Sequence, residues 1–245
     1  MIKAYAKSDV GKVRDMNQDA YYISDSLDEV QLYMLADGMG GYKGGEIASN
    51  LAVKTAKNYI ENNFKDIPKD RDSIIQLVGS SMEYANMVVY EKSKESKELE
   101  GMGTTLEICL IYNNKVFIGH IGDSRVYRIR KEFMRKLTQD HSYVQKLVKD
   151  GTITQEQAAH HPQKNVITRA LGSEKVVEAD IYPISIGPGD TLLLCSDGLS
   201  NLVPEEEISA VLRDSDEPET ACRDLLDLAL SRKAPDNVTI VVWKR

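Results

Sequence analysis

The stretch MLADGMGGYKGGEIAS, residues 34–49, sets an apolar run, a carboxylate at Asp37 and five glycines side by side. The run QLYMLA, which begins at Gln31, is apolar almost throughout and predicts a strand buried on both faces. It stops at Asp37, and Gly38, Gly40, Gly41, Gly44 and Gly45 follow. An Asp-Gly pair behind a strand is ordinarily a turn. Past the glycines, Ile47, Ala48, Leu51, Ala52, Ala56, Tyr59 and Ile60 recur at helical spacing, so a helix over 44–64 is expected. A second helix is expected over 71–94, with Ile74, Val78, Met82, Ala85 and Val89 as its stripe.

Outward from that stretch, strands come in groups rather than alternating with helices. AYYIS begins at Ala20, and TLEICLIY, KVFIGHIG and SRVYRIR follow one another, divided by NN and GD turn signals. SRVYRIRK alternates, which predicts one exposed face. VEADIYPI, TLLLCS and NVTIVVW come later. Pro204 with three glutamates opens one C-terminal helix, and Pro218 opens another whose apolar face is Cys222, Leu225, Leu226 and Ala229. Grouped strands argue for an α+β fold: a central antiparallel β-sandwich flanked by pairs of α-helices, in four layers αββα. The segment 141–171 is long for a connection between strands. It holds one short helix ending at Gly151 and a second opened by a Thr154/Gln157 capping box.

The chain has 245 residues, a net charge of −7 and three cysteines, Cys109, Cys195 and Cys222. No basic face for nucleic acid is advertised. The cysteines form no CxxC pair and lie in or beside apolar runs, so core thiols are expected rather than disulfides or zinc ligands. The N-terminus has no apolar stretch of signal-peptide length, and no segment approaches a membrane span. A single cytoplasmic domain over 1–245 is expected, a monomer with no nucleic-acid and no membrane partner.

The Asp-Gly device of the opening stretch recurs. TLLLCS ends at Asp197-Gly198, and Asp123 follows VFIGHIG. Two further acids stand just before strands: Asp19 before AYYIS, and Asp236 before NVTIVVW. In antiparallel sheets the end of one strand lies beside the start of its neighbour, so five distant aspartates can meet at one edge. Clustered carboxylates repel and resist burial, and multivalent cations remove that cost. Oxygen-only ligation suits Mg²⁺ or Mn²⁺, and Gly38 could lend a carbonyl oxygen because a glycine permits close backbone approach. Two such ions can activate a bridging water and clamp an in-line displacement at phosphorus. His120, His141, His160 and His161 show no metal-ligand spacing.

These residues carry a family resemblance. SDVGKVRDMNQDA, ADGMGGYKGGEIAS, GMGTTL, HIGDSRVYRI, LTQDHS, HPQKNVITRALG, LLLCSDGLSNLV and PDNVTIVV occur in this order over nearly the whole chain. The sequence resembles the metal-dependent protein serine/threonine phosphatases of type 2C, in their compact bacterial form. The resemblance implies a dinuclear Mn²⁺ or Mg²⁺ centre at one end of the sandwich. Asp37 would bridge both ions and Gly38 would offer its carbonyl. Asp197 and Asp236 would bind the first ion, and Asp19 would act on the second through water. Asp123 would help hold a weaker third beside Asp197. Arg14 would bind the substrate phosphate, and 141–171 would be a mobile flap near the site.

The implied reaction is hydrolysis of phosphoserine or phosphothreonine in proteins by attack of the metal-bridging water, opposing a bacterial Ser/Thr protein kinase. The competing readings are a non-catalytic phosphatase-like regulatory or binding module, which should have lost metal carboxylates, and a two-metal nuclease, which should carry a basic groove. Two positions depart from common patterns. Met39 stands where some relatives place a histidine that could protonate the leaving group, and Tyr42 stands where many bacterial members carry a histidine.

Overall fold

The computed structural model describes residues 3–25, 30–41 and 43–245; Tyr42 lies outside them. Strands β1 (Lys3–Asp9), β2 (Asp19–Ile23) and β3 (Gln31–Met39) come first, then helices α1 (Gly44–Asn63) and α2 (Arg71–Ser93). A second group follows: β4 (Gly103–Thr104), β5 (Leu106–Tyr112), β6 (Lys115–Ile121), β7 (Arg125–Arg130) and β8 (Phe133–Lys136). Next are the short helices α3 (Tyr143–Lys149) and α4 (Gln155–Ala159), then β9 (Asp180–Ser185) and β10 (Thr191–Cys195). The chain finishes with α5 (Asp197–Ser200), α6 (Glu205–Asp214), α7 (Pro218–Ser231) and β11 (Val238–Lys244).

All named strand pairs are antiparallel. One sheet has the order β1-β11-β10-β7-β8, and the other β2-β3-β5-β6-β9 with β4 beside β3. The two-residue period of each strand sorts its side chains between layers. On β3, Leu32, Met34 and Ala36 pack with the α1/α2 stripes, including Ala48, Ala52, Ile74, Val78 and Met82. Tyr33 and Leu35 point the other way, into a core shared with Leu192, Leu194, Val241 and Trp243 of the opposite sheet. Leu193, Cys195, Ile240 and Val242 face outward onto Leu212, Cys222, Leu225 and Ala229 of α6 and α7. Three apolar interfaces therefore separate four layers, α/β/β/α, as the sequence predicts. All three cysteines are buried free thiols.

The helix signals operate as read. Thr154 and Gln157 make the reciprocal capping box of α4, Pro218 occupies the first turn of α7, and Pro204 caps α6 ahead of its three glutamates.

Some expectations need correction. The strand at residue 31 does not stop at Asp37 but runs to Met39, because β4 pairs Thr104 with Gly38 and Gly103 with Met39. Asp197, at the end of its apolar run, opens the one-turn helix α5. β7 has no fully exposed face. Val126 enters the inter-sheet core while Tyr127 and Ile129 enter the outer one. Its alternate arginines, Arg128 and Arg130, donate to the Ser185 carbonyl at the end of β9, joining the two sheets at their edge. β1 and β8 carry mixed polar sequences that the apolar-run criterion passes over.

Candidate metal and phosphate site

The strand period continues past the core. Asp37 follows Tyr33 and Leu35 on the inter-sheet face of β3, and Asp19, first in β2, stands opposite it in register. Asp197 leaves β10 at the same end of the other sheet, Asp236 precedes β11, and Asp123 lies in the turn between β6 and β7. All but Asp19 line one cleft of about 290 Å³ with Arg14, Gly38, Asn165 and Ile167. Asp19 sits beneath them, close enough to Asp37, Asp197 and Asp236 to feel their charge.

Several residues that the sequence reading did not single out hold this arrangement. Asp37 N–H donates to Thr105 Oγ1 at 2.9 Å, and the Asp37 carbonyl accepts from Thr105 N–H and Thr104 Oγ1, each at 2.9 Å. The Thr105 hydroxyl meets Ser124 Oγ at 3.0 Å, which ties the Asp37 strand to the Asp123 turn. Asn237 donates to the carbonyls of Val10 and Met16 at 2.9 and 3.0 Å and accepts from Gln18 N–H at 2.8 Å. One side chain thus folds the Arg14 loop against β11. The GMGTTL and PDN motifs carried these residues, but an amide or hydroxyl has no charge pattern to advertise its role.

Gly38 is fixed by space as well as by any carbonyl role. A Cβ there would meet the Gly45 carbonyl oxygen at 2.1 Å and that of Gln18 at 2.5 Å. The glycines after Asp37 let α1 start directly against the strand that carries the acid.

The electrostatics are those of carboxylates gathered without enough partners. Both oxygens of Asp19 and Oδ1 of Asp123 are buried with no hydrogen-bond partner. Burial pushes Asp19 up to about 7, with Asp197 and Asp236 adding to it, while the nearby Thr239 and Ser196 hydroxyls soften the shift. Asp197 is raised to about 6 by burial and by Asp236. Asp37 and Asp123 stand well above the ordinary range, first through burial and then through their acidic neighbours. Arg14 Nη2 donates to Asp236 Oδ2 at 2.8 Å, and that contact raises the arginine's own pKa.

Orphaned carboxylate oxygens in an all-oxygen donor set fit hard divalent ions. Among the described residues, no three His, Cys, Asp or Glu side chains are gathered closely enough to grip one ion by themselves. Water and backbone oxygens would therefore complete a coordination shell, as Mg²⁺ in particular prefers. The histidines stay out of the cleft lining. His120 is fully buried, His141 nearly so, and His160 is exposed. Met39 lines the cleft and offers no proton.

Residues 12–229 match the family described as Protein phosphatase 2C. The serine/threonine phosphatase stp of Listeria innocua serovar 6a is 34% identical over 240 residues, covering 98% of this chain and 94% of that protein. The serine/threonine phosphatase Stp1 of Staphylococcus aureus superposes with a TM-score of 0.92 at 35% identity, covering 100% of this chain and 95% of that one. The catalytic domain of the serine/threonine protein phosphatase PstP, solved in complex with two manganese ions, superposes with a TM-score of 0.86. It is 36% identical, covering 99% of this chain and 97% of that one. The chain belongs to the protein phosphatase 2C family.

Proposed function

We propose that this chain is a Mn²⁺- or Mg²⁺-dependent protein serine/threonine phosphatase that uses water as its nucleophile. The observation that carries the reading is the meeting of Arg14 with Asp37, Asp123, Asp197 and Asp236 in one cleft, over the partnerless carboxyl of Asp19. Asp37 and the Gly38 carbonyl would serve two ions, Asp197 and Asp236 one of them, and Asp19 the other through water. Asp123 with Asp197 would hold a weaker third. When bound, the ions supply a water acidic enough to act at neutral pH and positive charge against the phosphoryl oxygens.

The chain's own residues do the rest. Arg14 exchanges or shares its contact with Asp236 for the phosphate oxygens, which its planar fork can grip two at a time. The Asp37–Thr104–Thr105–Ser124 hydrogen bonds fix the acids before substrate arrives, so little reorganisation is left for the reaction. The bond from phosphorus to the seryl or threonyl oxygen breaks, and with Met39 at the rim the departing oxygen takes its proton from solvent.

We further propose one catalytic domain over 1–245 with a flap at 141–171, acting as a monomer in the cytoplasm on phosphoproteins that a Ser/Thr protein kinase supplies. Asn165 and Ile167 of that segment line the same cleft as Arg14, which supports the flap assignment. Among the described residues no helix is long and apolar enough to cross a membrane. The test is phosphate release from a phosphothreonine peptide with Mn²⁺ and with EDTA. Release with Mn²⁺ alone is expected; peptide binding without release in Mn²⁺ would make the chain a binding module.

A further inference from the structure

The segment 141–171 joins the body of the protein at two roots, and each root touches a residue that holds an acid of the site. At the first, His141 and Gly122 make a reciprocal pair. His141 N–H donates to the Gly122 carbonyl at 2.7 Å, and Gly122 N–H donates to His141 Nδ1 at 3.1 Å. Gly122 has φ +114°, and a Cβ there would lie 2.5 Å from Thr105 Cβ, so the turn into Asp123 has little freedom. At the second root, Thr104 and Leu171 exchange backbone hydrogen bonds at 3.0 and 2.9 Å, and Thr104 Oγ1 is one of the two donors to the Asp37 carbonyl. Between the roots the segment closes on itself: Thr168 N–H donates to the His141 carbonyl at 2.7 Å, and Tyr143 N–H to that of Val166 at 2.8 Å.

The His141 ring is buried and its proton is assigned by its neighbours. Nδ1 accepts from Gly122, so the hydrogen sits on Nε2, which faces Asp180 Oδ2 at 3.3 Å. Arg169 Nη1 shares the same carboxylate through Oδ1 at 3.2 Å and also lies 3.3 Å from His141 Nε2. One face of the ring stacks on His120 with centroids 4.5 Å apart. His120 Nε2 donates to the Gln139 carbonyl at 2.8 Å, which leaves Nδ1 to accept from a protonated Glu107, 2.9 Å from both oxygens. Burial favours that neutral pair, raising Glu107 and lowering His120. None of these groups lines the cleft.

We propose that His141 is a positioning residue: its Nδ1 acceptor and its backbone latch the root of the flap to the turn that carries Asp123, so that the flap stands ready for a phosphopeptide. The proposal rests on the phosphatase reading only for its kinetic arm. Three substitutions separate the latch from plain packing. Alanine removes the acceptor. Asparagine puts Oδ1 near the place of Nδ1 and keeps the bond to Gly122. Glutamine reaches toward Asp180 instead and loses that bond.

The experiment combines hydrogen exchange on the intact chain with turnover of a phosphothreonine peptide and of p-nitrophenyl phosphate. His141→Ala and His141→Gln should speed exchange at Gly122 and along the flap roots by about tenfold, the scale of one lost hydrogen bond. They should raise KM for the peptide by a similar factor, with a smaller loss on the aryl ester, and His141→Asn should restore both. Unchanged exchange in the alanine and glutamine variants overturns the latch. So does an asparagine variant as impaired as alanine, or equal losses on the two substrates. A parent chain that cleaves neither ester sinks the phosphatase reading instead, and the exchange rates then decide the latch alone.

Discussion

Asp19 and Asp37 stand directly opposite one another across the β2–β3 ladder. After burial, Asp19 is the largest of the neighbours that raise Asp37. Like charges facing across a strand pair destabilise a sheet, and a bound cation would relieve that cost. Asp37→Asn removes one of the two charges. Turnover should fall by about 10²–10³-fold, the loss seen when one stabiliser of transition-state charge is removed. The metal-free protein should melt at a higher temperature than the parent, and Mn²⁺ should stabilise the variant less. A variant that melts lower in EDTA than the parent would show that Asp37 is held by something other than a cation.

The same acids predict the pH response of the metal-free chain. Folded values of about 7 for Asp19 and about 6 for Asp197 lie above the unfolded range near 4. The fold therefore favours their protonated forms. That stabilisation is complete below about pH 4 and is lost as pH rises through about 6 to 7. In EDTA the melting temperature should drop between about pH 4 and pH 7, and saturating Mn²⁺ should flatten the drop.

Arg14→Ala should raise KM for phosphomonoesters and cost roughly 1.5–3 kcal/mol in kcat/KM, the scale of a charged hydrogen bond. The fold should survive, because the Arg14–Asp236 pair is half exposed and Asn237 holds the loop independently. Steady-state kinetics beside a thermal melt check both halves. Parent-like kinetics would reduce Arg14 to a partner of Asp236.

Asp123→Asn should leave two ions bound but raise the Mn²⁺ concentration needed for turnover. Asp123 Oδ1 is buried without a partner on the β6–β7 turn, whereas Asp37, Asp197 and Asp236 come from other elements. Calorimetric titration of Mn²⁺ beside metal-dependent turnover gives the answer. Unchanged stoichiometry with unchanged activity would make Asp123 a turn residue.

Gly38→Ala tests packing rather than charge. Its Cβ would fall 2.1 Å from one carbonyl oxygen and 2.5 Å from another, both backbone atoms that cannot step aside alone. A loss on the order of 1–3 kcal/mol, the usual cost of overpacking, should appear in denaturant unfolding even without metal. Full parent stability would mean that α1 can slide away from β3.

The sequence by itself determined the layers and the family. Apolar runs, helical stripes, prolines and the capping box specified the long helices and the core strands, because each is a local consequence of period and backbone freedom. Five aspartates at strand boundaries, met by no ligand-spaced histidine or cysteine, pointed to hard cations. Only the tertiary structure decided what these residues lean on. Which strand continued beyond its acid depended on β4, a two-residue partner with no pattern of its own. That Asn237 folds the Arg14 loop, that two threonines grip Asp37, and that His141 accepts from Gly122 are contacts between residues far apart in the chain. A hydrogen bond of that kind has no period in the sequence; it exists only once the sheets have brought its donor and acceptor together.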